Sequence, residues 1–130
     1  MIFLNLIIGG SYSGKRDHAM KKYNLKHDDI KDCSKEIITD KTTAKCVCNY
    51  ELQIKKLLEK NCDPKAFTNE FLKTNPNVVI IMNEIGNGII PLERFERQWR
   101  EEVGRTGCLL AEKALSVERV ICGTAVKIKG

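Results

Sequence analysis

The chain has 130 residues, of which 42% are hydrophobic and 30% charged, enough to bury most of its apolar surface as one domain without disulfide or metal staples. Its net charge of +5 is carried by lysines and arginines mixed with acids, and only 6% of residues are aromatic, which argues against the basic, aromatic-interleaved surface of a nucleic-acid binder. No stretch approaches the roughly 20 apolar residues of a membrane span, and the apolar start lacks a basic leader, so a cytoplasmic protein without membrane attachment is expected.

In chain order, Ile2–Ile8 is almost continuously apolar, as befits a strand covered on both faces. A glycine loop follows at once, and "KRDHAMKKY" has helical composition, giving strand, loop and helix. Between Asn24 and Asn49 the pattern is weak: "DDIKDC" and "EIITD" each suit a short strand, and "KTTAKCVCN" reads as a loop or an edge. Tyr50, Ile54, Leu57 and Leu58 then share one face of a helix over 50–60. Asp63 caps a second helix with Pro64 in its first position and Phe67 and Phe71 on its buried face, and Asn75-Pro76 ends it. "NVVIIM", Asn77–Met82, is the clearest buried strand, and "NEIGNGIIP" is a loop at its C-terminal end. A long helix starts near Pro91, with Leu92, Phe95, Trp99 and Val103 inward, a break at Gly104–Gly107 and a resumption through Leu115. "ERVICG" and "AVKIK" read as closing strands.

Strands alternating with helices imply right-handed crossovers and an α/β fold, P-loop NTPase-like, with a mostly parallel sheet flanked by helices. The whole chain, 1–130, is read as a single nucleotide-binding domain. Ligands of such sheets lie beyond the C-terminal ends of the strands. Two loops end there, Gly9–Lys15 and Asn83–Pro91, and they are expected to share a crevice.

The first loop fits G-x-x-x-x-G-K, with Gly9, Gly10, Ser11, Tyr12, Ser13, Gly14 and Lys15. Glycines let the backbone curl its N–H groups inward into an anion nest at a helix N-terminus, and the lysine reaches the terminal phosphates of a nucleotide. The next position, where a Ser or Thr hydroxyl ordinarily meets magnesium, holds Arg16. Arginine has donors only and stays charged, so it cannot coordinate a cation. Either magnesium is held from elsewhere, by Asp17 or a carboxylate across the crevice, or the nucleotide is held differently, with Arg16 partly replacing the metal's charge.

Glu84 at the rim of the crevice suits positioning magnesium or a nucleophile, and equally a solvated loop. Asp32 in "KDC" suits the acidic end of a neighbouring strand, and Arg105 in "GRTG" a second phosphate contact. Each reads equally well as a surface residue. His18 fits a structural role, and His27 has no recognisable partner. Of six cysteines, Cys46 and Cys48 form C-x-C while Cys33, Cys62, Cys108 and Cys122 are scattered. Without a C-x-x-C pair they read as buried or incidental thiols rather than a zinc site.

"LIIGGSYSGKR", "VVIIMNEIGNGIIPLERFERQWREEVGR" and "VERVICGTAVKIK" together resemble the adenosylcobinamide kinase/adenosylcobinamide-phosphate guanylyltransferase family, as a shortened, divergent member. The block carried by Asn83, Glu84, Gly86, Gly88, Pro91, Arg97, Trp99, Arg100, Gly104 and Arg105 is the most specific part. The resemblance implies a P-loop α/β fold, a homo-oligomer since the family forms trimers, and phosphorylation of the aminopropanol hydroxyl of a corrinoid by GTP or ATP in cobalamin assembly. It implies Lys15 and the loop amides on the phosphates, Asp32 or Glu84 orienting magnesium or the attacking hydroxyl, and Arg105 stabilising charge. The family's longer segment with its guanylyl-carrying histidine is largely missing here. Neither His18 nor His27 stands in that motif, and Gly107-Cys108 replaces the family's polar pair after G-R. A kinase without guanylyl transfer is therefore the first expectation, and a nucleotide-binding module or partner subunit that has lost catalysis the second.

Overall fold

A computed structural model describes residues 2–84 and 93–130. Six strands form one sheet: β1 (Asn5–Gly9), β2 (Ile30–Asp32), β3 (Cys46–Cys48), β4 (Val79–Asn83), β5 (Ser116–Ile121) and β6 (Thr124–Lys129). Four helices accompany them: α1 (Lys15–Lys22), α2 (Tyr50–Glu59), α3 (Pro64–Thr74) and α4 (Arg94–Lys113). The spatial order is β2-β3-β4-β1-β5-β6, with every pair parallel except β5 with β6. This is the expected P-loop NTPase-like α/β arrangement, and it places β1 between β4 and β5.

The central strands alternate between two apolar layers. Leu6, Val47, Ile80, Met82 and Val117 face one layer together with Tyr50, Ile54, Phe71, Val103 and Leu110 from α2, α3 and α4. Ile7, Cys46, Cys48, Val79, Ile81 and Val120 face the other, which is closed by Ala19, Met20 and Tyr23 of α1 and its end. A strand buried on both faces must be apolar at every position, which is why Ile7 and Ile80–Met82 carry no polar alternation.

The segment hardest to read is corrected at two places. Cys46–Cys48 is neither loop nor edge but an interior strand between β2 and β4, buried along its length. Cysteine here acts as a small hydrophobe. "EIITD" is not a strand: Ile38 is buried, and its backbone N–H and C=O meet the Gln53 side-chain amide at 3.2 and 2.9 Å. That amide substitutes for a neighbouring strand and satisfies the buried backbone. The first strand begins at Asn5 rather than Ile2, and ahead of it Phe3 donates its N–H to the Pro76 carbonyl at 2.7 Å.

The expected break at Gly104–Gly107 is also overturned, since α4 runs 20 residues without interruption. A helical glycine costs about 1 kcal/mol against alanine. Burial of Val103, Thr106 and Leu110 along the same stripe offsets that cost. Gly107 also lies against Met82, where an added Cβ would stand 3.2 Å from the methionine methyl. The start of α3 matches expectation: Asp63 accepts the Lys65 N–H at 3.1 Å, with Pro64 in the first turn. Phe67 and Phe71 stack at 6.2 Å.

Candidate functional site

The C-terminal ends of β1 and β4 lie side by side, with Gly9 opposite Asn83. The Glu84 N–H donates to the Gly9 carbonyl at 2.8 Å, and the Asn83 amide reaches the Ser11 hydroxyl at 3.5 Å. The glycine loop and the start of the Asn83–Pro91 loop therefore share one crevice. Gly86, Gly88 and Pro91 lie outside the described residues. The crevice has a volume of about 460 Å³ and is lined by residues 11–17 together with Cys48, Asn49, Ile81 and Asn83.

Two contacts set the loop's shape. An added Cβ on Gly9 would stand 2.6 Å from the Val120 carbonyl of β5, so only glycine permits β1 and β5 to approach there. Gly14 has φ +89° and packs against Gly123, whose N–H donates to the Ser13 carbonyl at 2.7 Å. Gly123 belongs to the two-residue turn Cys122-Gly123, in which both residues have positive φ, the hairpin geometry that matches strand twist. Ser11 and Tyr12 stand exposed. Gly10 has open space where a Cβ would be.

Lys15 opens α1 and folds back into the loop. Its Nζ donates to the Gly10 carbonyl at 2.6 Å and lies 3.4 Å from the Ser13 hydroxyl. The residue is only 7% exposed. Burial lowers the ammonium pKa, and the charges of Glu51 and Glu84 partly counter it. The loop thus presents a confined cation at the N-terminus of α1, an arrangement suited to an anion.

Asp32 ends β2 two strands away and still reaches this region. Its Oδ1 accepts from the Asn49 amide at 2.8 Å, the Ser34 N–H at 2.9 Å and the Ser34 hydroxyl at 2.7 Å. Its Oδ2 lies 3.9 Å from the Arg16 guanidinium. Burial pushes the carboxyl pKa up, but the bonds from Asn49 and Ser34 and the Arg16 charge outweigh it and hold Asp32 below the usual carboxylate value.

Glu84 is held elsewhere. Arg119 of β5 grips it bidentately, at 2.7 and 3.0 Å. Arg105 lies outside the crevice. It pairs with Glu102 at 3.1 Å and Glu101 at 3.7 Å on α4, beside a separate hollow bordered by Lys65 of α3. His18 faces Glu118 of β5 at 3.3 Å, and Lys22 meets the same carboxylate at 2.7 Å.

Glu51 escaped sequence reading. It sits in the first turn of α2, is 3% exposed, and accepts the Asn83 N–H at 3.0 Å. Burial raises its pKa, against the opposing effects of the Asn83 bond and Lys15. The Trp99 indole donates to the Glu51 carbonyl at 2.8 Å, so α4 also braces this turn. On a helical wheel Glu51 reads as solvated. Its partners, the Asn83 N–H and the Trp99 indole, are distant in sequence.

Magnesium prefers near-octahedral oxygen and is usually taken by one or two carboxylates plus substrate phosphate. The donors here do not match. Arg16 stands in the hydroxyl's place, Asp32 is engaged by Asn49, Ser34 and Arg16, and Glu84 by Arg119. Burial disfavours the charged form of Glu51. Asp17 leaves one exposed carboxylate at the rim. Among the described residues no three His, Cys, Asp or Glu side chains gather around a common point. Cys33, Cys46 and Cys48 are buried free thiols, and burial pushes the Cys48 thiol up to about 11.

A family model described as cobinamide kinase / cobinamide phosphate guanyltransferase matches residues 32–128. The chain belongs to this family. The matched range takes in Asp32, Glu51, Glu84 and Arg105, while the glycine loop lies ahead of it. Among curated relatives, the bifunctional adenosylcobalamin biosynthesis proteins CobU of Escherichia coli (strain K12) and Salmonella typhimurium (strain LT2) are each 44% identical over 52 residues. That stretch covers 40% of this chain and 29% of either relative. No described helix is long and apolar enough to cross a membrane.

Proposed function

We propose that the crevice between β1 and β4 is the nucleotide-phosphate site of a cobinamide kinase-type phosphotransferase, using GTP or ATP and lacking guanylyl transfer. The observation that carries this reading is Lys15, buried at the loop's neck with its ammonium on the Gly10 carbonyl. A terminal phosphate entering the loop replaces that carbonyl as partner of the ammonium. The backbone N–H groups of residues 10–14 and the N-terminus of α1 receive the remaining phosphate oxygens.

In the transfer step, the corrinoid hydroxyl oxygen forms a bond to the terminal phosphorus while the bond to the bridging oxygen breaks. A nucleoside diphosphate departs, and the hydroxyl proton passes to a carboxylate. Glu84 follows the strand end beside Gly9 and is the candidate for that proton once its carboxylate leaves Arg119. Asp32 orients groups at the opposite wall. Arg105, outside the crevice and paired with Glu101 and Glu102, takes no part in this step.

The experiment is calorimetric titration of wild type and Lys15→Ala with GTP and with ATP. The variant should keep its circular dichroism spectrum and lose at least about tenfold in affinity, as expected for a confined charge-assisted contact. Unchanged affinity overturns the phosphate site. A transfer assay with adenosylcobinamide then separates this reading from a second, favoured by the Arg16–Asp32 pair, in which the chain binds nucleotide without turning it over.

A further inference from the structure

The crevice meets an incoming phosphate chain with side chains whose arrangement departs from a metal-assisted site. Lys15 and Arg16 are consecutive and both line it. The Arg16 side chain is 40% exposed and lies 3.9 Å from Asp32 Oδ2, beyond hydrogen-bonding range, so the guanidinium is steered by the carboxylate rather than consumed by it. Asp32 is in turn fixed from behind, with Asn49 and Ser34 all on its Oδ1. Its remaining oxygen is thereby aimed at Arg16. A guanidinium held this way still offers several N–H groups in a planar fork, the geometry that matches phosphate oxygens two at a time.

We infer that this site takes the polyphosphate chain of a nucleoside triphosphate as the metal-free anion, with Arg16 standing where a divalent cation would otherwise neutralise charge and Asp32 acting as its tether. The inference rests on the phosphate-site reading of the Gly9–Lys15 loop and goes beyond it by naming the ionic form that binds. Lys15 contributes one fixed positive charge from inside the loop and Arg16 a second from its rim. A magnesium ion already bound to the nucleotide adds a positive charge beside that guanidinium, so the metal complex gains nothing over the free anion here.

The test is calorimetric titration of the full chain with GTP, ATP and inorganic tripolyphosphate, each in excess magnesium and in EDTA. Wild type should bind GTP or ATP in EDTA at least as tightly as in magnesium. Arg16→Ser should lose about tenfold in EDTA, the usual scale for a charge-assisted contact, and recover part of it on adding magnesium. Arg16→Lys, which keeps charge but loses the fork, should fall between the two. Tripolyphosphate binding in EDTA assigns the preference to the phosphate chain itself, and its failure beside nucleotide binding assigns part of it to the nucleoside. Wild-type affinity that rises about tenfold or more with magnesium overturns the inference and leaves the phosphate site standing. No binding of any probe under either condition overturns the phosphate site, and the inference with it.

Discussion

Arg119 holds Glu84 through two N–H···O contacts, 2.7 and 3.0 Å long, so the acid that follows β4 is drawn across β1 onto β5. The pair spans the strand that carries the glycine loop. Both side chains are partly exposed, so their contribution to stability is within about 1 kcal/mol. Arg119→Ala should leave the urea midpoint nearly unchanged while releasing Glu84. If Glu84 takes the hydroxyl proton, Glu84→Gln lowers turnover with little change in nucleotide affinity. A variant that loses affinity and turnover equally would assign Glu84 to binding.

The Gly9–Val120 approach predicts a backbone effect. A Cβ at position 9 meets a main-chain oxygen at 2.6 Å, which no rotamer change relieves. Gly9→Ala should therefore destabilise by about 1–3 kcal/mol, the range for forced overpacking, and weaken nucleotide binding by displacing the loop. Gly10→Ala has open space at that position and serves as the control. Equal melting temperatures for the two variants would contradict this account.

Titration of Glu118 gives a pH prediction. Burial raises its pKa, but the bonds from Lys22 and His18 outweigh burial and lower it below 4.5. Lys22 is raised above 10.5, chiefly by the same bond. A lowered carboxylate contributes stability above its unfolded value and loses it as pH falls through the folded value; a raised lysine loses its share as pH rises past the folded value. Glu118→Gln should therefore flatten the loss of stability on the acid side, below pH 4.5, and on the alkaline side, above pH 10.5. Denaturant midpoints across the range measure it.

Glu51 runs the other way. Its raised pKa means that the native state holds a proton which the unfolded state releases, so stability declines as pH climbs from 4.5 through the folded value. Glu51→Gln keeps an acceptor for the Asn83 N–H and removes the charge. Its stability relative to wild type should grow over that interval, and a difference independent of pH would refute the assignment.

Thr106 offers a simple check on α4. Its hydroxyl is buried without a hydrogen-bond partner. An unmet buried polar group costs about 1–3 kcal/mol, so Thr106→Val should raise the melting temperature.

What was legible in the sequence had local causes. The run Leu6–Ile8 before Gly9, the Asp63-Pro64 cap, and the apolar run at Val78–Met82 each announce themselves through neighbours along the chain. Asp32 does end a strand, one of the two readings its sequence leaves open. Features decided by distant partners were not legible. Cys46–Cys48 becomes an interior strand through β2 and β4, and Ile38 escapes a strand through Gln53. Glu51 is buried by Asn83 and the approach of Trp99. Arg105 looked like an interruption because it lies between glycines, yet the packing of Val103 and Leu110 carries the helix through.

The brace on the glycine loop has a consequence for the order in which this protein is made. Ser13 and Gly14 lean on Gly123, and His18 meets a carboxylate 100 positions along the chain. A ribosome delivers the loop early and its supports late, and contacts at such separation close slowly. A nascent chain therefore exposes the G-x-x-x-x-G-K sequence long before that loop has a fixed shape. A chain stalled before β5 emerges carries the motif without the brace that Gly123 and Glu118 supply.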